Sequence, residues 1–291
     1  QESKHTTGFN AGREQLISND LGSLSYATGD RWVGSSDNSW ATRSGFFRIN
    51  YGYDERYLLE VNGRYDLSSK FPKHDRAVFN PSFSAAWRLS NESWFKSWTN
   101  SFFDELKIRG SYGLVGSDET GLSAGAQHFL YIDQVSLNNI GFTTGVDMNY
   151  TLYGPLVTNY AVVNGGWERV KKLDIGIDLE LFRQLTITAD YFNEKRYNIL
   201  LHREAWPESL GYYTAKPWSN KGKVDNWGIE LSVNWRKEFT KDLYVDFRGN
   251  FTYTENKYVN LDEPVYPYVW KTSTGKPLSR TTGYIAQGLF S

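Results

Sequence analysis

Cysteine is absent from the 291-residue chain, and methionine occurs only once. Without thiols, the chain can form no disulfide framework, no thiolate metal site and no cysteine nucleophile. Proline is scarce as well, with eight residues, so a proline-rich linker is excluded. These absences remove several classes of covalent and metal chemistry before any pattern is considered.

Neither sign of charge is in excess, since 32 basic residues stand against 33 acidic ones. A phosphate-binding surface normally has a basic excess, so the charge balance gives no indication of a nucleic-acid partner. The sequence also lacks the run of about 20 apolar residues that a membrane-spanning helix needs. The mean hydropathy is −0.56. A low value does not exclude transmembrane strands, because their polar and apolar residues alternate.

Aromatic residues are abundant, with 11 Trp, 20 Tyr and 17 Phe. Many of them lie in segments with a period of two, which predicts strands with two different faces. From Trp227 to Arg236, for example, every second residue is apolar and those between are polar or glycine. Eight such strands are predicted: Phe47–Tyr53, Tyr57–Tyr65, Ser82–Leu89, Leu106–Tyr112, Lys172–Leu181, Leu185–Tyr191, Trp227–Arg236 and Val245–Thr254.

The connections between the predicted strands alternate between short and long. Asp54–Arg56 and Arg183–Gln184 are tight turns, whereas Leu114–Trp167 and Tyr197–Lys223 are long. Antiparallel up-and-down strands place alternate connections at opposite ends, as in outer-membrane barrels. Aromatic residues also stand eight positions apart on apolar faces, as in Trp227 and Trp235. That spacing covers roughly 20 Å of the membrane normal, which matches two interfacial aromatic girdles.

A soluble β-sandwich or a lipocalin-like barrel would also alternate polar and apolar residues. Two features favour the transmembrane barrel over them. One is the asymmetry of the connections. The other is that charges of both signs run along whole strands, as in a wide water-filled lumen.

Eight segments of the chain resemble, in order, the C-terminal half of the barrel of SusC/RagA-type TonB-dependent transporters of Bacteroidota. The stretch Leu114–Gly166 is the least similar, as a substrate-facing insertion would be. The segments are Gly45–Leu59, Arg64–Phe71, Phe79–Ser90, Leu106–Gly113, Asp174–Leu179, Thr188–Asn193, Asn220–Gly222 with Trp227–Ser232, and Gly275–Pro277 with Gly283–Phe290.

The resemblance implies an outer-membrane, multi-pass β-barrel of about 22 strands closed around a plug in a Gram-negative bacterium. It also implies energy coupling through the TonB complex, a SusD-like surface lipoprotein as partner, and import of oligosaccharides or peptides. Because Gln1–Asn10 lacks the apolar core of a signal peptide, we expect both ends of the chain to lie inside a longer protein. Residues 1–291 would then be part of one barrel domain, with the plug and the N-terminal segments elsewhere.

No catalytic or metal site is expected from the sequence. Gly121–Gly125 matches the G-x-S-x-G pattern of serine hydrolases, but it lies in a predicted loop without the strand and helix that this motif requires. The histidines His5, His74, His128 and His202 are isolated and lack metal-ligand spacing. We therefore predict no enzyme and no cofactor.

Two groups of residues are the candidates for substrate contact. Aromatic side chains in predicted outward loops could stack on sugars or hold peptide side chains, although they could equally pack the loops or contact the lid protein. They are Trp32, Trp40, Tyr131, Tyr153, Trp206, Tyr212, Tyr213 and Trp218. The predicted lumen-lining residues are Arg48, Glu60, Arg64, Arg88, Arg109, Asp174, Asp178, Glu230, Asp246 and Arg248. The alternative function is a non-transporting carbohydrate-binding β-sandwich module.

Overall fold

The described residues form one large antiparallel sheet in which nine strands pair with one another in chain order. A computed structural model describes residues 2–13, 29–99, 103–119, 129–139, 141–162, 165–207, 209, 216–240, 242–283 and 288. The strands are β1 Glu2–Arg13, β2 Arg31–Tyr53, β3 Tyr57–Ser68, β4 Ala77–Arg88, β5 Phe103–Ser117, β10 Glu168–Leu181, β11 Leu185–His202, β12 Trp218–Thr240 and β13 Leu243–Asn260.

All eight predicted strands lie in this sheet, but the count of eight was too low. The sheet has an additional strand, β1, because the polar sequence of Glu2–Arg13 carries no apolar alternation to reveal it. In its described part, the connection from β5 to β10 also contains two short antiparallel strand pairs. They are formed by β6 (Gln134–Ser136) with β9 (Leu156–Asn159), and by β7 (Gly141–Thr144) with β8 (Tyr150–Tyr153).

Four predicted loop aromatics lie instead in strands. Trp32 and Trp40 are in β2, Trp218 is the first residue of β12, and Tyr153 is the last residue of β8. Strands β2 and β12 each run for 23 residues, about twice the length that crosses a bilayer. Beyond the bilayer, both faces of a strand contact water, so the period-two pattern that marks a strand disappears.

The register keeps the two faces of the sheet separate across all strands. On the apolar face, Ile175 of β10 pairs with Gly110 of β5 and Tyr191 of β11. One residue along, Gly176 pairs with Arg109 and Asp190 on the polar face. A slip by one residue would transfer every side chain of a strand to the wrong face, so the two-faced pattern specifies this register strongly.

The apolar face has no protein layer over it in the part of the chain that the structure describes. Ile49 is 60% exposed and Phe247 is 57% exposed, although both lie in the middle of their strands. A soluble sandwich would cover such a face with a second sheet, so the sandwich alternative was wrong. Lipid is the solvent in which a bare apolar face is stable.

Aromatic rings gather at both ends of the apolar face. At one end, Tyr57 stacks on Trp87 with ring centroids 6.2 Å apart. At the other end, Trp227 lies 5.9 Å from Tyr253 and 6.5 Å from Tyr191. Tyr and Trp favour the headgroup level of a membrane, so the two groups mark the two interfaces.

Short and long connections lie at opposite ends of the sheet, as the sequence predicts. The short end contains the three-residue turns after β2 and β10, a 3-10 turn at Leu89–Asn91 and the short helix α1 (Ser93–Thr99). The long end contains the connections from β3 to β4, from β5 to β10 and from β11 to β12. No helix within the described ranges has the length and apolar character needed to cross a bilayer.

The turn at Asp54 and Glu55 supplies a first testable prediction. Both residues have positive φ angles, 50° and 52°, and the Arg56 N–H donates to the Tyr53 carbonyl at 3.0 Å. This turn type favours glycine at its second position, because a Cβ is strained there. We expect Glu55→Gly to stabilise the protein by about 0.5 kcal/mol, read from the urea midpoint of tryptophan fluorescence. Glu238→Gly, inside β12, is the control and should destabilise it by a similar amount.

Candidate functional site

The ten charged residues predicted to line a lumen share the polar face of the sheet. The pairing makes this explicit, since Arg48 pairs with Asn62, Arg88 with Lys107, Glu230 with Asp190 and with Thr252, and Asp246 with Arg236. Opposite charges alternate along this face and form cross-strand pairs, such as Arg88–Glu105 at 3.6 Å and Lys172–Glu194 at 2.7 Å. The polar face of the sheet is therefore a charged wall in which opposite charges neutralise one another locally.

Arg109 is the centre of the densest charge cluster on this face. Its guanidinium reaches Asp174 at 3.1 Å, Asp178 at 3.4 Å and Asp190 at 2.5 Å. Asp178 also accepts from Lys107 at 2.5 Å. Two cations thus hold three carboxylates from two neighbouring strands, which fixes β5, β10 and β11 relative to one another at this level.

Gly176 makes the reach of Arg109 possible. It stands between Arg109 and Asp190 in the row of residues that crosses β5, β10 and β11. A Cβ at this position would overlap Asp190 Oδ1 and would lie 2.6 Å from Arg109 Cζ. The glycine therefore leaves the space in which the guanidinium crosses a whole strand to its carboxylate partner.

A concave pocket of about 1190 Å³ opens on the polar face at the long-loop end of β2 to β5. Its floor is organised by Asp66, which is buried and accepts hydrogen bonds from three side chains. Ser44 Oγ donates at 2.6 Å, Arg64 Nε at 2.7 Å and Asn80 Nδ2 at 3.2 Å. Because these donors come from β2, β3 and β4, one carboxylate joins three strands at the pocket.

A second carboxylate, that of Asp118, also lines the pocket. Asp118 accepts from Ser68 Oγ at 2.9 Å and pairs with Lys70 Nζ at 3.2 Å. The same ammonium lies 4.5 Å from the centre of the Trp40 ring. Trp40 is thus the predicted aromatic that the structure brings to the polar pocket.

Phe46 also lines this pocket, and the sequence prediction did not include it. It pairs with Arg64 and is therefore on the polar face, where it is almost fully exposed. The sequence carried a signal for it, because Phe46 and Phe47 are adjacent and only one of two adjacent strand residues can face lipid. The other ring must then lie on the polar face.

The other predicted aromatics are dispersed around the long-loop end. Tyr131 lines a small crevice beside Val162, and Tyr153 is exposed on the β7–β8 hairpin. Trp206 lies 5.2 Å from the Arg203 guanidinium, and Trp218 stacks on His202 at 3.5 Å. The side chain of Trp32 and residues Tyr212 and Tyr213 lie outside the described residues. The structure therefore brings no two of the described ones into a shared aromatic platform.

A compact apolar cluster supports the rim of the pocket. Phe71, Val78 and Trp167 are all buried, and the Phe71 and Trp167 rings lie 5.3 Å apart. Trp167 Nε1 donates to the Arg76 carbonyl at 3.1 Å. Through these contacts, the end of the β5–β10 connection packs on the β3–β4 connection.

At the short end, a buried glutamate joins the turn after β4 to the turn before β3. Glu92 accepts from Tyr57 at 2.8 Å, from Trp87 Nε1 at 3.1 Å and from Arg56 Nη1 at 3.0 Å. The hydrogen bonds from Tyr57 and Trp87 lower the pKa of the Glu92 carboxyl, and Arg56 lowers it further. The ionised carboxylate is thus the form that these donors stabilise.

The pKa of Glu92 predicts how the short end responds to acid. A carboxyl whose pKa falls on folding adds stability that is complete above its unfolded pKa of about 4.3 and is lost as pH falls through the folded value. We expect tryptophan fluorescence at this end to remain native below pH ~4.3 and to change only in stronger acid. Glu92→Gln should remove this acid transition, and a transition that persisted in the variant would contradict the assignment.

The residues considered for catalysis do not assemble into a site. His5 lies on β1, His74 follows β3, and His202 ends β11, while Gly121–Gly125 and His128 lie outside the described residues. Within the ranges that the structure covers, no three His, Cys, Asp or Glu side chains are grouped so as to hold a metal ion. The organised chemistry of the described chain is that of a charged, hydrogen-bonding wall.

Comparison with known families identifies a match over nearly the whole chain. The model of the TonB dependent receptor-like β-barrel family matches residues 3–290. Among curated proteins, TonB-dependent receptor P3 of Formosa agariphila is 28% identical over 244 residues, which is 84% of this chain and 23% of that protein. The TonB-dependent receptor SusC of Bacteroides thetaiotaomicron is 29% identical over 231 residues, which is 77% of this chain and 22% of that protein.

A solved structure has the same fold. The RagAB peptide transporter matches with a TM-score of 0.68 and 20% sequence identity, covering 89% of this chain and 27% of that chain. The chain thus spans about a quarter of the length of the relatives it matches.

Proposed function

Because the chain belongs to the TonB-dependent receptor-like β-barrel family, we propose that the whole protein imports oligosaccharides or peptides with energy from the TonB complex. The chain itself is a nine-stranded segment of an outer-membrane barrel. The observation that carries the proposal is the contrast between its two faces. One is apolar and bare, and the other is a continuous wall of charged and hydrogen-bonding side chains.

In this proposal, residues 1–291 are part of one barrel domain of about 22 strands. The plug and the segment that contacts TonB belong to other parts of the whole protein. A SusD-like surface lipoprotein covers the extracellular mouth, on the side of the long connections. The protein performs no covalent chemistry and needs no cofactor, because the energy for passage comes from the inner membrane.

The two groups of candidate residues have successive roles in import. Substrate is first held near the long-loop end, where Trp40 lies beside the polar pocket. Other aromatics at this end add contacts: Trp32, Tyr131, Tyr153, Trp206, Tyr212, Tyr213 and Trp218. The wall then guides the substrate inward. The ten charged residues from Arg48 to Arg248 offer hydrogen bonds at successive levels of the lumen. Because several of these charges form ion pairs with one another, no single residue binds the substrate too strongly for release.

Uptake in living cells tests this function. Cells that carry the whole receptor and its lipoprotein are given fluorescent oligosaccharides or peptides, with and without a working TonB. We expect accumulation that needs both the receptor and TonB. Uptake that continued at the same rate without TonB would indicate a passive pore. Binding without any accumulation would favour a receptor that does not transport.

A further inference from the structure

We propose that the pocket between β2 and β5 binds the anionic group of an acidic oligosaccharide through Arg48, Arg64 and the ring of Phe46. This proposal rests on the proposed import function and narrows its substrate class. The three residues lie close together on the polar face, since Phe46 pairs with Arg64 and Arg48 is two residues along the same strand. All three line the same pocket.

The three side chains are among the exposed ones that line the pocket. Phe46 is 84% exposed, and the side chains of Arg48 and Arg64 are 64% and 61% exposed. In the described chain, the ring of Phe46 neither packs into a core nor faces lipid, and an aromatic ring left in water costs free energy. A ligand with an apolar face would remove that cost.

Both guanidinium groups keep donors available for an anion. Arg48 uses Nε for Asn62 at 2.8 Å, with Glu60 at 3.7 Å. Arg64 uses Nε for Asp66 and one terminal nitrogen for Ser44 at 3.4 Å. Within the described residues, the terminal nitrogens of Arg48 and the second terminal nitrogen of Arg64 have no protein acceptor. Guanidinium groups bind carboxylate and sulfate oxygens well with these nitrogens.

Four carboxylates and three cations line the pocket, but the two exposed carboxylates lie away from Arg48 and Arg64. Glu2 pairs with Thr42, six residues before Arg48 on β2, and Glu119 follows Asp118 at that same level. Asp66 is only 6% exposed and accepts from Ser44, Arg64 and Asn80. Asp118 is held by Ser68 and Lys70. Asp66 and Asp118 thus accept hydrogen bonds from neighbouring side chains, whereas Arg48 and Arg64 line the pocket with terminal nitrogens that have no acceptor among the described residues. An anionic ligand is therefore favoured over a cationic one.

A saccharide fits this wall better than a peptide. The backbone groups of β2 to β5 at the pocket are used in the sheet, so an extended peptide would find no free strand edge to pair with. What the wall offers is a flat ring with amide and hydroxyl side chains around it, including Asn62, Asn80 and Ser82. A sugar ring presents an apolar face to an aromatic ring and hydroxyls to such groups.

Calorimetry on the purified whole receptor in detergent tests the site. The probes are tetragalacturonate, its neutral methyl ester, a sulfated tetrasaccharide and a tetraglutamate peptide. We expect Arg48→Gln and Arg64→Gln each to weaken binding of an anionic saccharide by roughly tenfold or more. Binding of the methyl ester should be weak and unchanged by either variant. Phe46→Ala should weaken every saccharide probe, and Phe46→Tyr should restore binding.

Arg236→Gln is the matched control, because Arg236 is an exposed arginine of the same face near the short end. It should bind every probe as the unaltered receptor does. Tetragalacturonate and the sulfated probe distinguish which anionic group the site prefers, and either one supports the proposal. Binding of tetraglutamate alone, or anionic binding that the two arginine variants leave intact, would overturn it. Transport of neutral substrates by those variants would show that the import function stands even when this site fails.

Discussion

Replacing Gly176 by valine is expected to destabilise the barrel by about 2–4 kcal/mol, because the new side chain occupies the space through which Arg109 crosses β10. The Cβ alone would overlap Asp190 Oδ1 and lie 2.6 Å from Arg109 Cζ. The guanidinium would have to leave Asp190, and with it the arrangement that also contacts Asp174 and Asp178. Asp174, Asp178 and Asp190 would then lose part of their pairing with Arg109 while remaining partly buried.

The matched control for this prediction is Gly110→Val, at the residue next to Arg109 on β5, which lies on the opposite face of the sheet. Gly110 pairs with Ile175 on the apolar face, and a Cβ there would meet only Asp174 O at 3.7 Å. Its effect should be within about 0.5 kcal/mol of zero, since lipid accommodates the added methyl groups. The measurement is the urea midpoint of the whole receptor refolded into lipid vesicles. Equal effects of the two substitutions would show that the cluster around Arg109 does not stabilise the sheet.

The alternation of residues was sufficient to predict the two faces, because lipid on one side and water on the other impose opposite requirements on neighbouring residues. Trp227–Arg236 and Val245–Thr254 are strands with the predicted faces. The same physics explains what was missed. In Glu2–Arg13 and in the first half of β2, the few apolar residues do not alternate with polar ones, so no period-two pattern exists to reveal a strand.

The partners within the polar wall could not be predicted from the sequence. Arg109 and Asp174 are separated by a connection of about fifty residues, and their meeting depends on a register that only the paired backbones fix. The sequence predicted that both residues line the wall, but not that one arginine serves three aspartates. The prediction missed Phe46 for another reason: the apolar face of the predicted strand begins with Phe47, so the adjacent Phe46 lies on the polar face, where an aromatic residue is not expected.

The loop aromatics show the limit of reasoning from residue type alone. Trp206 and Trp218, two of the aromatics predicted to contact substrate, lie against Arg203 and His202, respectively. Trp167, which the sequence places at the end of a predicted long loop, is buried against Phe71. An aromatic ring in a loop can bind a ligand or pack the loop, and only the surrounding contacts distinguish the two roles.

Trp167→Ala is expected to detach the β5–β10 connection from the rim, with a loss of about 3–5 kcal/mol of local packing energy. The substitution removes the ring that packs on Phe71 and the N–H that donates to the Arg76 carbonyl. Because the barrel wall carries its own hydrogen-bond ladder, the loss should be confined to the long-loop end. Limited proteolysis should therefore cleave within residues 129–162 in the variant, while heat-modifiable migration of the barrel is unchanged.

Two further variants separate packing from hydrogen bonding at this anchor. Trp167→Phe keeps most of the ring but removes the N–H donor, so it should lose only about 1 kcal/mol and resist proteolysis nearly as well as the unaltered protein. Trp270→Ala removes an exposed tryptophan after β13 and should change neither measurement. If Trp167→Ala resisted protease as Trp270→Ala does, the long connection would be held by other contacts. In that case the pocket beside Trp40 would keep its rim without this cluster, and substrate affinity would be unaffected by the loss of Trp167.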